Sequence, residues 1–197
     1  MKQLQITKIY YYLDFENTIK GKLDSFTPLT STSENYKHWK SELDFRTCQH
    51  CKELNGKIFG MNEAPSTSPP LHYNCRCDIV PMDSIKAGNA TKDGRNGADY
   101  RLKNFQKLPE YYITLSEAIK HGWQNGKSPA KYFPNKMIAG GIYKNQNHHL
   151  PDAPNRIWYE ADINYYEGKR NRHRILWSND GLIFVTYDHY QTFYEII

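Results

Sequence analysis

Near the end of this 197-residue chain, Glu160, Arg170, Arg174 and His189 fall within a window of about thirty residues. One carboxylate, two guanidiniums and an imidazole are the parts needed to cleave a phosphodiester by acid–base chemistry. The carboxylate takes a proton from the attacking hydroxyl, the imidazolium gives one to the leaving oxygen, and the guanidiniums hold the charge on the phosphate. Spacing alone makes this a weak signal, because single Glu, His and Arg residues on strands are usually solvated face residues.

A second set of reactive side chains lies in the other half. Cys48-Gln-His-Cys51 is followed, twenty residues later, by His72-Tyr-Asn-Cys75-Arg-Cys77. Five ligands in two clusters can close a tetrahedral zinc site with one to spare. His50 lies inside the CxxC loop and is the less suitable ligand. The same cysteines could instead form two disulfides or stay free, and a reducing cytosol disfavours the disulfides. Structural zinc on four of Cys48, Cys51, His72, Cys75 and Cys77 is the expectation.

The elements that must position these groups are partly readable. Ala98–Lys107 has apolar residues at helical spacing and ends before Leu108-Pro109, where proline discourages continuation. Thr114-Leu-Ser-Glu117 is a capping box opening a helix that runs to about His121 and stops at Gly122. From Arg156 the texture is β-rich. Arg174–Ser178 and Leu182–Thr186 flank Asn179-Asp180-Gly181 as a hairpin, and Tyr190–Ile196 is a third run. Helices followed by an antiparallel meander give an α+β class.

Phe26–Glu34 and Ala64–Leu71 read as Ser/Thr/Pro loops, and Asp83–Gly97 is small, polar and Gly/Asn-rich. The expected organisation is therefore residues 1–82 as a small zinc-stabilised domain, 83–97 as a linker and 98–197 as the larger domain. Lys and Arg number 26 against 21 Asp and Glu, a formal +5, and the carboxyl-terminal half from residue 100 carries +4 of it. No window approaches the roughly 20 apolar residues of a membrane span. The first 22 residues lack a signal peptide's apolar run and cleavage site, so the expected location at synthesis is cytoplasmic, with any export by another route.

Two resemblances sharpen these readings. RTCQHCKELNGKIF followed by PPLHYNCRCDIVP resembles the end of the Mu F-like phage head morphogenesis proteins, over about residues 45–81. The family's long helical body is not matched upstream, which implies a remnant of that domain. LPEYYITLSEAIKHGW, GGIYKN and RIWYEADINYYEGKRNRHRILWSNDGLIFVTYDHYQTFYEI resemble the barnase-like, guanyl-specific microbial ribonucleases over about residues 98–197.

The second resemblance implies an α+β fold with helices ahead of an antiparallel sheet. It also implies metal-independent RNA cleavage through a 2′,3′-cyclic phosphate. Carried over by matching motif, Glu160 is the implied general base, His189 the general acid, and Arg170 and Arg174 the phosphate-binding arginines. Asn145 falls in the base-recognition loop with Gln146 beside it, and Tyr190 falls at the substrate pocket. Implied partners are RNA and a cognate acidic inhibitor, with no membrane, and the implied biology is a toxin that acts outside the cell or is delivered by phage.

Three positions depart from the family. Leu115 replaces a lysine, Gln146 an arginine, and Asn147 a guanine-reading glutamate. Purine preference, guanine foremost, is the family expectation that these changes bear on. Lys144, His148, His149, Lys169 and Arg172 are nearby in sequence and could compensate. The alternative function is a catalytically weakened ribonuclease-fold protein that binds or serves a phage structure.

Overall fold

A computed structural model describes residues 26–165 and 167–197. Nine strands among them form one sheet. β1 is Ser31–Ser41, β2 Ile58–Gly60, β3 Cys77–Ile85, β4 Tyr112–Thr114, β5 Met137–Tyr143, β6 Trp158–Asp162, β7 Arg174–Ser178, β8 Ile183–Thr186 and β9 Tyr194–Ile196. Their order is β2-β1-β3-β9-β8-β7-β6-β5-β4. The run β5 to β9 is an antiparallel meander, while β3/β9 and β4/β5 pair in parallel. The helices are α1 (Gln49–Leu54), α2 (Ala98–Phe105) and α3 (Leu115–Lys120). The class is α+β, as the texture of the sequence predicts.

The helices start and stop where their sequences dictate. α2 ends at Gln106, which turns left-handed and returns its N–H to the Leu102 carbonyl. α3 opens on the full capping box: the Thr114 hydroxyl accepts from the Glu117 amide and the Glu117 carboxylate accepts from the Thr114 amide. β7 and β8 turn at Asn179–Gly181, with Gly181 at a φ of +95° that a side chain would resist.

Both faces of the sheet are covered. On one, Ala98 and Leu102 of α2 pack against Ala161, Ile175, Ile183 and Val185. On the other, Trp158, Leu176, Phe184 and Phe193 pack with Ile58 and Met82, so the segment that precedes residue 83 helps to build the main core. The described residues before 83 and those after it therefore share one sheet. A segment too short to bury a core of its own adds its strands to the sheet edge, pairing Ser84 with Glu195 and Ile85 with Ile196.

Asp83–Gly97, which composition presents as a linker, is ordered by a buried carboxylate. Asp83 to Ile85 finish β3, and Asp99 accepts from the Gly88 and Ala90 amides and the Thr91 hydroxyl. Polar composition marks a loop, but one interior acceptor can hold it. Two further expectations change. Phe26–Glu34 is not wholly loop, because β1 begins at Ser31, where Ser33 donates to the Glu195 carboxylate across the strands. The run Tyr190–Ile196 is strand only from Tyr194. Asp188 accepts from the Thr186 and Thr192 hydroxyls and the Gln191 and Thr192 amides, which winds residues 188–192 into a turn.

Candidate active site

Strand alternation places Trp158, Glu160 and Asp162 on one face of β6. Glu160 stands opposite β5 at an irregularity between Ala139 and Gly141. A Cβ at Gly140 would lie 2.9 Å from the Glu160 Cγ and 2.9 Å from its Oε1, so glycine makes room for this carboxylate. Tyr190 Oη donates to Glu160 Oε2 at 2.5 Å. Burial, reinforced by that bond, pushes the Tyr190 phenol above its ordinary pKa. Tyr190 also stacks on Tyr143, with ring centroids 5.2 Å apart.

The two arginines share one anchor. Asp162, buried, accepts from Arg170 Nε at 2.7 Å and Nη2 at 2.6 Å, and its Oδ1 lies 3.1 Å from Arg174 Nε. Arg174 also donates through Nη1 to the Asn171 and His173 carbonyls. A buried acid thus fixes two guanidiniums that line the same cleft. Spacing from Glu160 could have found Asp162: both lie on one strand face, two residues apart in EADINY. The sequence reading passes over it because a buried carboxylate looks like any other strand acid.

His189 is exposed, and both it and Tyr190 have positive φ, +66° and +69°. That conformation is uncommon outside glycine, and the Asp188 turn enforces it. The His189 amide donates to the Arg172 carbonyl, which ties the turn to the arginine-bearing loop. Glu160, Lys169, Arg170, Arg172, Arg174 and His189 thus line one open cleft of about 710 Å³. With Lys127, six cation-capable side chains line the cleft against the two carboxylates Glu160 and Asp188, a surface suited to a polyanion.

The remaining expected positions sort differently. Asn145 is buried and acts within its own loop, donating to the Leu150 carbonyl and to Asp152 while accepting from the Leu150 amide. Gln146 and Asn147 are exposed beside it, and none of the three lines the cleft. Leu115 lines a separate apolar groove with Ile119, Gly140, Tyr159 and Trp177.

The cysteine segment gathers its five candidate ligands. His72 Nε2 lies 3.4 Å from Cys48 Sγ and 3.3 Å from Cys51 Sγ, and Cys51 Sγ is 3.9 Å from Cys75 Sγ. Cys48, Cys51 and His72 form one metal-sized group, and Cys51, Cys75 and Cys77 another. Zinc–sulfur bonds of about 2.3 Å put tetrahedral sulfurs about 3.8 Å apart, so these spacings fit the ion. A hydrogen bond to the Leu71 backbone lowers the Cys75 thiol to about 7, while burial raises Cys51. His50 is exposed and outside both groups.

Comparison with known proteins matches two stretches to families. A family model described as ribonuclease matches residues 95–197, and one described as Phage Mu protein F like protein matches residues 20–80. A ribonuclease of Heyndrickxia coagulans is 45% identical over 100 residues, which cover 50% of this chain and 91% of that protein. A ribonuclease of Bacillus intermedius is 45% identical over 100 residues, 50% of this chain and 61% of its own length.

Proposed function

The chain belongs to the ribonuclease family, and on that premise we propose that it is an endoribonuclease cleaving single-stranded RNA by metal-independent transphosphorylation. Glu160 acts as base through Oε1, since Oε2 is held by Tyr190. It takes the proton of the 2′-OH, whose oxygen attacks the adjacent phosphorus. His189, exposed on its left-handed turn, protonates the departing 5′ oxygen, and a 2′,3′-cyclic phosphate remains. Arg170 and Arg174 hold the phosphorane charge in the orientation that Asp162 imposes. Water then opens the ring with the roles of Glu160 and His189 exchanged. DNA lacks the 2′-OH and cannot react.

The observation that carries this reading is the single cleft holding Glu160 and His189 beside two arginines locked to one buried acid. RNA incubated with the full chain and chelator is expected to yield 2′,3′-cyclic phosphate ends. Glu160→Gln and His189→Ala are each expected to reduce kcat at least about 10²-fold while leaving the melting temperature within a few degrees. Full activity in His189→Ala would overturn the assignment.

Purine preference follows the family, and the neutral Gln146 and Asn147 weaken its restriction to guanine. Four of Cys48, Cys51, His72, Cys75 and Cys77 would hold a structural zinc ion, with one ligand in excess. The basic cleft calls for an acidic inhibitor in the producing cell, and the Mu F-like segment fits a toxin carried by phage-type machinery. The second reading, a weakened ribonuclease kept for binding, is favoured by one feature: Leu115 puts an apolar side chain where the family places a cation. GpN and ApN turnover below about 1% of a family enzyme's would favour it.

A further inference from the structure

The cysteine-bearing segment does more than extend the sheet. Its α1–β2 turn lies against the loop of residues 145–150 and against the turn that carries His189 and Tyr190 into the cleft. His149 Nε2 donates to the Glu53 carbonyl at 3.2 Å, and the Ile58 amide donates to the His149 carbonyl at 2.8 Å. Asn147 Nδ2 approaches His149 Nδ1 at 3.0 Å. A Cβ on Gly56 would meet the Gln191 carbonyl at 2.9 Å, so this turn also touches the residue after Tyr190. Glu53 follows Cys51 by two positions on α1, which links the metal-type cluster to this contact within one short helix.

Inside the ribonuclease portion, His149 closes the loop that Asn145 pins from beneath. Asn145 bonds the Leu150 carbonyl and amide and Asp152, so residues 145–150 have a rigid floor. Gln146, Asn147 and His148 above it are exposed. Burial lowers the His149 pKa, with the Glu53 and Tyr190 backbone groups opposing it. A neutral ring with Nε2–H donating and Nδ1 accepting satisfies the contacts observed.

Resting on the ribonuclease reading, we propose that His149 is a positioning residue for base recognition, clamped by the Glu53 carbonyl and the Ile58 amide of the cysteine-bearing segment. The base-reading face of residues 145–150 is thereby set from outside the ribonuclease fold. The loop lost two charged side chains relative to the family, and a rigid loop loses less entropy when a base is bound. The clamp therefore acts on substrate binding, and not on the proton transfers of Glu160 and His189.

The test uses the full chain with GpN and ApN dinucleotides and amide hydrogen exchange. In His149→Ala, KM is expected to rise about tenfold, kcat to change less than about twofold, and exchange at residues 145–150 to accelerate, the loss being of hydrogen-bond size. His149→Gln, whose side-chain N–H can still reach a carbonyl, is expected to recover most of the KM. An unchanged KM in His149→Ala, or equal falls in kcat and kcat/KM, overturns the proposal. If His149→Ala does not fold, His149→Phe keeps the ring and removes both nitrogens, and the same readouts apply. A wild-type chain that cleaves no RNA overturns the ribonuclease reading alone. Loop exchange in the variants then decides the clamp, faster exchange supporting it and unchanged exchange overturning it.

Discussion

Asp162 and Arg170 form a two-pronged pair, with Nε on Oδ2 at 2.7 Å and Nη2 on Oδ1 at 2.6 Å, around a carboxylate that is 1% exposed. The same acid reaches Arg174, so one strand residue orients two cations of the cleft. Removing it leaves the buried Arg174 and the half-buried Arg170 without their counter-charge, and breaking a buried pair commonly costs about 3–5 kcal/mol. Asp162→Ala is therefore expected to lower denaturant stability by that order and to reduce kcat/KM. Urea melts together with cleavage assays check both, and retention of both values would contradict the anchoring role.

Gly140 gives a cleaner separation of stability from activity. Its backbone needs no left-handed φ, and the obstacle to a side chain is the Glu160 carboxylate itself. Gly140→Ala is expected to displace that carboxylate by a fraction of an ångström. Such misplacement of a base can cost on the order of tenfold to 10²-fold in rate. Steady-state kinetics should show the loss in kcat, while the thermal midpoint moves little.

Acid sensitivity has an identifiable source in the turn that presents His189. Burial opposes ionisation of Asp188, but its bonds from Thr192, Thr186 and Gln191 outweigh that and lower its pKa below the ordinary 3.8. The folded state therefore binds fewer protons than the unfolded one between the lowered and ordinary values. The contribution is fully present above the unfolded pKa and is lost as pH falls through the folded one. Asp188→Asn is expected to flatten the acid limb of a stability-against-pH curve below about pH 4. An identical limb in the variant would assign the sensitivity elsewhere.

Metal content is expected to be one zinc ion per chain. Chelation should lower the melting temperature by about 5–10 °C, the order for a ligand held about 100-fold above its dissociation constant in a chain of this size. Cys51 belongs to both metal-sized groups, so Cys51→Ser should lose the ion where Cys77→Ser, with another ligand available, retains it. Atomic absorption on the purified variants, followed by calorimetry, distinguishes these outcomes. Because α1 carries both Cys51 and Glu53, chelation should also raise KM more than it lowers kcat.

Local signals read well from the chain. The capping box at Thr114, the β7–β8 hairpin and the limits of α2 and α3 all depend on contacts within four or five residues, and the sequence holds both partners of each. The cluster Cys48 to Cys77 is legible from its residue types, but its two halves meet across 21 to 24 residues and need the fold to bring them together. What local reading missed depends on distant partners. Ser31 belongs to a strand because Asp83 and Ser84 pair with its neighbourhood, and Tyr190 leaves its β-rich run because Asp188 offers more acceptors than a strand neighbour would.

Glu160, Arg170, Arg174 and His189 are proposed from their types and motifs, because proton transfer and phosphate binding demand such side chains whatever surrounds them. Sequence could not assign Asp162 to both arginines, make Gly140 the space for a carboxylate, or seat the α1–β2 turn on His149. Those relationships are decided by burial. A carboxylate, a missing Cβ or an imidazole acquires its role only when the sheet closes and removes water from around it. For the same reason, the described part of the cysteine-rich segment forms the outer strands of the sheet: it has too little apolar surface to bury alone, and the core around Trp158 and Phe184 supplies the rest.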